Sequence, residues 1–118
     1  MSETEYHEFH EAEVTRFESS LDGKRITLEA VDVFIDGVNT KCRIEAQNVR
    51  KILRDDLAVN HVILEANSSE ILVVRGDRSP LFLLVQWEDF QQKVSHTRSY
   101  EIWCDDFHIT NLGPHVEE

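Results

Sequence analysis

Arg25-Ile26-Thr27-Leu28-Glu29-Ala30-Val31-Asp32-Val33-Phe34-Ile35, then Asp36-Gly37, then Thr40-Lys41-Cys42-Arg43-Ile44-Glu45-Ala46: this stretch decides the fold class. Apolar side chains recur at every second position, first Ile26, Leu28 and Ala30, later Cys42, Ile44 and Ala46. A period of two is that of a half-buried strand. In between, the apolar set shifts by one residue to Val31, Val33 and Ile35. The shift predicts a β-bulge near Ala30 and Val31, because a one-residue slip turns every later side chain to the other face. Asp36-Gly37 suits the positive φ angles of a tight hairpin turn, so the two stretches are expected to pair antiparallel.

Working outward, Glu13-Val14-Thr15-Arg16-Phe17-Glu18 alternates in the same way and the turn Leu21-Asp22-Gly23-Lys24 follows, which makes the first third a three-stranded antiparallel meander. Val49, Ile52 and Leu53 stand at i, i+3, i+4 after Asn48 and predict a helix of two turns at most, with Arg50, Lys51 and Arg54 on its exposed face. Residues 61–66 and 70–75 carry continuous apolar runs and are expected to be strands buried on both faces. After the turn formers Gly76 to Pro80, Leu81, Leu83, Val85 and Trp87 share one face of a central strand. Trp87, Phe90 and Val94, at i, i+3, i+7, predict a second short helix, and Ser99 to Leu112 reads as one kinked strand or two short ones. The fold class is mainly β, with α+β as the alternative: an antiparallel meander forming a sandwich or partly rolled sheet of about six to eight strands, with one or two short helices. Residues 1–118 form a single domain on this reading.

Twelve Lys plus Arg against 23 Asp plus Glu give a net charge of −11. A surface of that sign repels a polyanion and argues against nucleic acid as a partner, whereas it steers a basic protein toward the chain. Both ends are acidic: Glu8, Glu11 and Glu13 lie near the start, and Asp105 and Asp106 belong to a stretch, 101–118, without Lys or Arg. The basic residues Lys41, Arg43, Arg50, Lys51 and Arg54 gather in the middle. The longest apolar run, Leu81 to Val85, is far short of a membrane span, and the acidic start lacks the positive and apolar regions of a secretory signal. A cytoplasmic protein without membrane contact is expected, with Cys42 and Cys104 as small core residues.

No Gly-x-Ser-x-Gly and no Gly-rich phosphate loop occurs, so neither a catalytic residue nor a cofactor is assigned. Cys104 and His108 form the nearest thiol–imidazole pair, but Asp105 and Asp106 disfavour a thiolate there. The doublets Asp55-Asp56, Glu88-Asp89 and Asp105-Asp106 read as solvated loop or strand residues before they read as acid–base pairs. His7 and His10 have a His-x-x-His spacing, and a metal site built on them needs a third ligand such as His108, Asp105, Asp106 or His115. His10 reads equally as a structural imidazole satisfied by a backbone carbonyl. Arg75-Gly76-Asp77 reads as a hairpin turn, and Trp87 and Trp103 as core or sheet-face residues.

His10-Glu11-Ala12-Glu13-Val14, the Leu21-Asp22-Gly23 turn, the strand Ile26 to Val31 and the stretch Arg43 to Val49 together resemble small bacterial β-rich domains that begin His-Asp/Glu-Ala, some of them immunity proteins of polymorphic toxins. The resemblance covers about the first half of the chain and implies a binding protein without catalytic residues. With the charge, it suggests an acidic protein-interaction domain that neutralises a basic toxin or enzyme by occlusion. Glu8, Glu11, Glu13, Asp105 and Asp106 would steer the partner onto an apolar anchor, for which Trp103, Tyr6 and Phe9 are the candidates. The alternatives are a metal- or small-ligand-binding domain using His7, His10 and His108, and a structural subunit or homo-oligomer.

Overall fold

In the computed structural model, which describes residues 7–35, 37–66, 68–75, 80–89 and 91–114, the alternating stretches become the strands of two antiparallel sheets. Ten strands occur among the described residues: β1 (His7–Glu8), β2 (Glu13–Ser19), β3 (Arg25–Ile35), β4 (Val38–Gln47), β5 (Lys51–Arg54), β6 (Leu57–Val59), β7 (Ser68–Arg75), β8 (Leu81–Asp89), β9 (Val94–Trp103) and β10 (Asp106–Pro114). The first sheet is four strands wide, because β1 and β2 share one edge of β3 while β4 and then β10 follow on the other side. The second sheet runs β6-β5-β9-β8-β7.

The meander β2-β3-β4 and its two-residue hairpin, with Ile35 opposite Val38, are as the alternation indicates. So is the bulge: the β3–β4 register shifts between Ala30 and Val33, and Asp32 sits at φ 62°. Leu81, Leu83, Val85 and Trp87 are buried on one face of β8, which lies between β7 and β9. They meet Ile26, Leu28, Ala30, Cys42 and Ile44 from the first sheet, and Phe17 closes the layer edge-on to Tyr100, with ring centroids 5.0 Å apart.

Two features roll the sheets together. At one side the β1–β2 turn bonds to β7: the Glu11 N–H donates to the Ile71 carbonyl and the Ile71 N–H to the Ala12 carbonyl, both at 2.7 Å, and the Val14 N–H donates to the Ser69 hydroxyl at 2.9 Å. At the other, the connections β4–β5 and β9–β10 cross side by side. Gln47 opposes Asp106 in the first sheet and Lys51 opposes Trp103 in the second. Between them the Arg50 N–H donates to the Trp103 carbonyl at 2.7 Å, and the Asp105 N–H to that of Gln47 at 3.2 Å. The pair of chains is one ribbon bent through a corner, with Asn48 at φ 55° making the bend.

Several expectations are corrected. No helix occurs among the described residues. Lys51–Arg54, the larger part of the expected helix, form β5, because four to six residues cannot offset helix nucleation when β9 offers a ladder. The segment expected to be helical after Trp87 is the end of β8, a turn, and the start of β9; the Asp89 carboxylate accepts from the N–H groups of Gln91 and Gln92 at 3.0 and 3.1 Å, and Phe90 is outside the described residues. Residues 61–66 are not a strand and expose Ile63 and Leu64, while β7, at the sheet's edge, leaves Leu72, Val73 and Val74 half-buried. Ser99 to Leu112 divides into two long strands that belong to different sheets.

Two outcomes follow from this packing. In urea unfolding, Leu83→Ala in the core lowers stability by about 2–4 kcal/mol, whereas Leu57→Ala, 70% exposed on β6, stays within about 0.5 kcal/mol. Asp55 and Asp56 form the two-residue β5–β6 turn with φ of 53° and 68°. Asp56→Gly is therefore expected to raise the melting midpoint, by about 0.5–1 kcal/mol of stability, because glycine accepts positive φ without strain.

Candidate functional site

The acidic residues singled out from the sequence fall into two separate groups. Glu8 is on β1 opposite Phe34; Glu11 is exposed at φ 70° in the β1–β2 turn; Glu13 is half-buried on β2 opposite Val31. Asp105 and Asp106 lie at the bent corner beside Trp103, which is 36% exposed. The two groups occupy opposite edges of the first sheet. Of the anchors, Trp103 is on the surface, Phe9 is a core residue at 7% exposure and so unavailable, and Tyr6 is outside the described residues.

The histidines are equally dispersed. His7 pairs with Ile35, and His108 with Glu45 on β4. They are three strands apart, roughly 14 Å, and about seven residues or more than 20 Å apart along the strands. His10 places Nδ1 3.3 Å from the Leu72 carbonyl, the backbone-satisfied arrangement, and His108 Nε2 lies 3.0 Å from Asp106. His115 is outside the described residues, and among those described no three His, Cys, Asp or Glu side chains are grouped to hold a metal ion. Cys42 and Cys104 are both buried, and burial pushes the Cys104 thiol up, helped by the charges of Asp105 and Asp106.

The densest polar constellation was not visible in the sequence. Glu65, its side chain 12% exposed, reaches from the segment after β6 to the inner face of the second sheet. There it accepts from Arg98 Nε at 3.0 Å and from the Tyr100 hydroxyl at 3.0 Å, lies 2.9 Å from His96 Nε2 and 3.5 Å from Arg54 Nη1. Tyr100 in turn accepts from the indole N–H of fully buried Trp87 at 3.0 Å, and Arg98 donates to Asp55 at 2.7 Å. His96, Arg98 and Tyr100 alternate on β9, a period-two polar run that is legible; Glu65, some 31 residues away from His96, is not. Burial alone would raise the Glu65 carboxyl, but its hydrogen bonds from His96, Arg98 and Tyr100 outweigh it and hold the group below the ordinary carboxylate value. Burial also raises the Tyr100 hydroxyl. Both Glu65 oxygens are engaged by donors, so the cluster fastens residues 61–66 to the second sheet.

The remaining surface feature is β10. Among the described residues it pairs with β4 alone, so its other edge presents unpaired backbone groups. Residues 107–113 contain no Lys, Arg, Asp or Glu, and Ile109 and Leu112 are exposed there. Edges are ordinarily protected by charge, Pro, bulges or short length; β10 is nine residues long, with Asp106 at its start, a bulge between Asn111 and Gly113 and its single Pro at 114, which leaves residues 107–111 regular and without formal charge. Among the described residues no helix is long and apolar enough to cross a membrane. No protein-family model, curated protein or solved structure matches the chain.

A carboxylate held below its ordinary pKa of about 4.3 stabilises the fold above that value and loses its contribution as the pH falls through the lowered one. Glu65→Gln is thus expected to cost about 1–3 kcal/mol at pH 7. It should also flatten the decline in stability between about pH 5 and 3, measured by urea titration at each pH, without abolishing it, because Glu29, paired with Arg43 and Arg16, is also held low.

Proposed function

We propose that the chain is a non-enzymatic, acidic protein-interaction domain that neutralises a basic partner by occlusion, as an immunity or inhibitor protein does, and that the partner adds an extended segment to β10. The observation that carries this is the long outer edge of β10, unpaired among the described residues and with Asp106 as its one Lys, Arg, Asp or Glu, a template for strand addition by main-chain hydrogen bonds. Trp103, Asp105 and Asp106 stand at its head, where the anchor and the steering charge are expected. Asp105 is bonded to Arg50 at 3.1 Å and Asp106 lies 3.0 Å from His108 Nε2, and both carboxylates stay solvent-exposed. A net charge of −11 supports a cationic partner, and charge of this kind acts chiefly on the association rate.

A second reading has its own support. With only Asp106 and His108 ionisable from 106 to 114, two copies of β10 can pair without strong repulsion and continue one sheet through both subunits.

The test is capture from the host on immobilised protein with a salt-gradient elution, followed by amide exchange on the complex rebuilt from purified components. Expected are a stoichiometric basic protein released by salt, protection confined to residues 106–114, and loss of both with Ile109→Lys or Asp106→Lys. Salt-insensitive association, or protection elsewhere, overturns the assignment. Light scattering that shows a dimer of the isolated chain, abolished by Ile109→Lys, establishes self-pairing instead.

A further inference from the structure

The chain is acidic, yet one part of its surface is not. Two adjoining grooves of about 500 and 380 Å3 lie where the β2–β3 turn meets the bent corner. Each is of the size that small-molecule sites occupy, ~300–1,000 Å3. Lys24 borders both, Arg25 the larger, and Arg50, Lys51 and His61 the smaller. Four of the 12 Lys and Arg of the chain thus stand here against one lining acid, Asp22, out of 23 Asp and Glu.

The architecture of the turn explains the imbalance. Asp22 is bound within the turn: its carboxylate accepts from the Ser20 hydroxyl at 2.7 Å and from the Lys24 N–H at 2.9 Å, which fixes the turn. Gly23, at φ 73°, brings that turn against the segment after β6; a Cβ there would lie 3.4 Å from the Asn60 carbonyl and 4.0 Å from His61 Nε2. The approach sets Lys24 and His61 on one groove. From the corner, Arg50 is held by Asp105 at 3.1 Å and the Lys51 ammonium lies 5.8 Å from the centre of the Trp103 ring. Among the described residues Lys24, Arg25 and Lys51 form no ion pair. Five cationic or protonatable side chains face two carboxylates here, Asp22 on the groove and Asp105 bonded to Arg50, and such an excess in a groove with low-dielectric walls focuses a positive potential.

We propose that this groove, bordered by Lys24, Arg25, Arg50, Lys51 and His61, binds the phosphate group of a small molecule. Arg and Lys are the residues that recognise phosphate, the guanidinium by a fork and the ammonium as a point charge. The groove includes no residue of β10, although Arg50 and Lys51 touch Asp105 and Trp103 at the head of that strand, and it stands whether or not that edge binds a partner.

Pyrophosphate titrated into 15N-labelled protein, followed by amide shifts at constant ionic strength, tests the site. Saturable shifts confined to residues 20–25, 47–51 and 60–61 are expected. Lys24→Gln with Lys51→Gln, both exposed side chains, should weaken binding by about tenfold or more, with an unchanged dispersed spectrum showing that the variant is folded. Shifts scattered over other cations such as Lys41 and Lys93, shifts reproduced by chloride, or wild-type affinity in the double variant each overturn the proposal. A citrate arm separates the sources of negative charge: tighter binding of citrate than of pyrophosphate overturns the phosphate assignment in favour of a carboxylate ligand.

Discussion

The bent ribbon formed by residues 47–51 and 103–106 is the constraint on which the rest of the molecule depends. Here two strands leave one sheet and enter the other together, still hydrogen-bonded across the bend. A corner made of paired chains satisfies its own backbone groups, so it need not be capped by side chains or exposed to water. It also fixes how the two layers face each other, and with the bonds between residues 11–14 and β7 on the far side it determines which edges remain open. The long edge of β10, the exposed Trp103 and the basic groove all derive their positions from it.

Much of the first sheet was legible because its signals are local. Period-two patterning, the Asp36-Gly37 turn and the one-residue change of face at Ala30 and Val31 each involve neighbours in the chain, and the backbone follows them. The second sheet was less so. Val49, Ile52 and Leu53 have helical spacing, but spacing in a six-residue segment is weak beside a ladder supplied by β9, fifty residues on. In the run 61–66 Val62 enters the core while Ile63 and Leu64 are exposed, so the apolar run marks neither a paired nor a doubly buried strand.

The sites show the same division. Acidic termini and a basic middle are properties of the sequence, but only the register reveals that the acidic ends are on opposite edges and that His7, His10 and His108 do not meet. Glu65 is the clearest case. One carboxylate among 23 acidic residues gathers Arg98, Tyr100, His96 and Arg54 because a segment without secondary structure places it there, and nothing adjacent to it in sequence says so. Arg50 and Asp105 mark a boundary between a cationic groove and an anionic strand end. Net charge therefore describes encounter at a distance, while contact is governed by these local signs.

The position of β10 also has a consequence in time. On the ribosome the chain emerges from its N-terminus, so β2, β3 and β4 are available for pairing long before β10, some sixty residues behind β4, leaves the tunnel. Throughout that interval the outer edge of β4, with Cys42, Ile44 and Ala46 facing an unfinished core, is itself an unpaired template. Completion of the first sheet therefore waits on a non-local pairing, and until β10 arrives the edge of β4 is the template that a second chain could join.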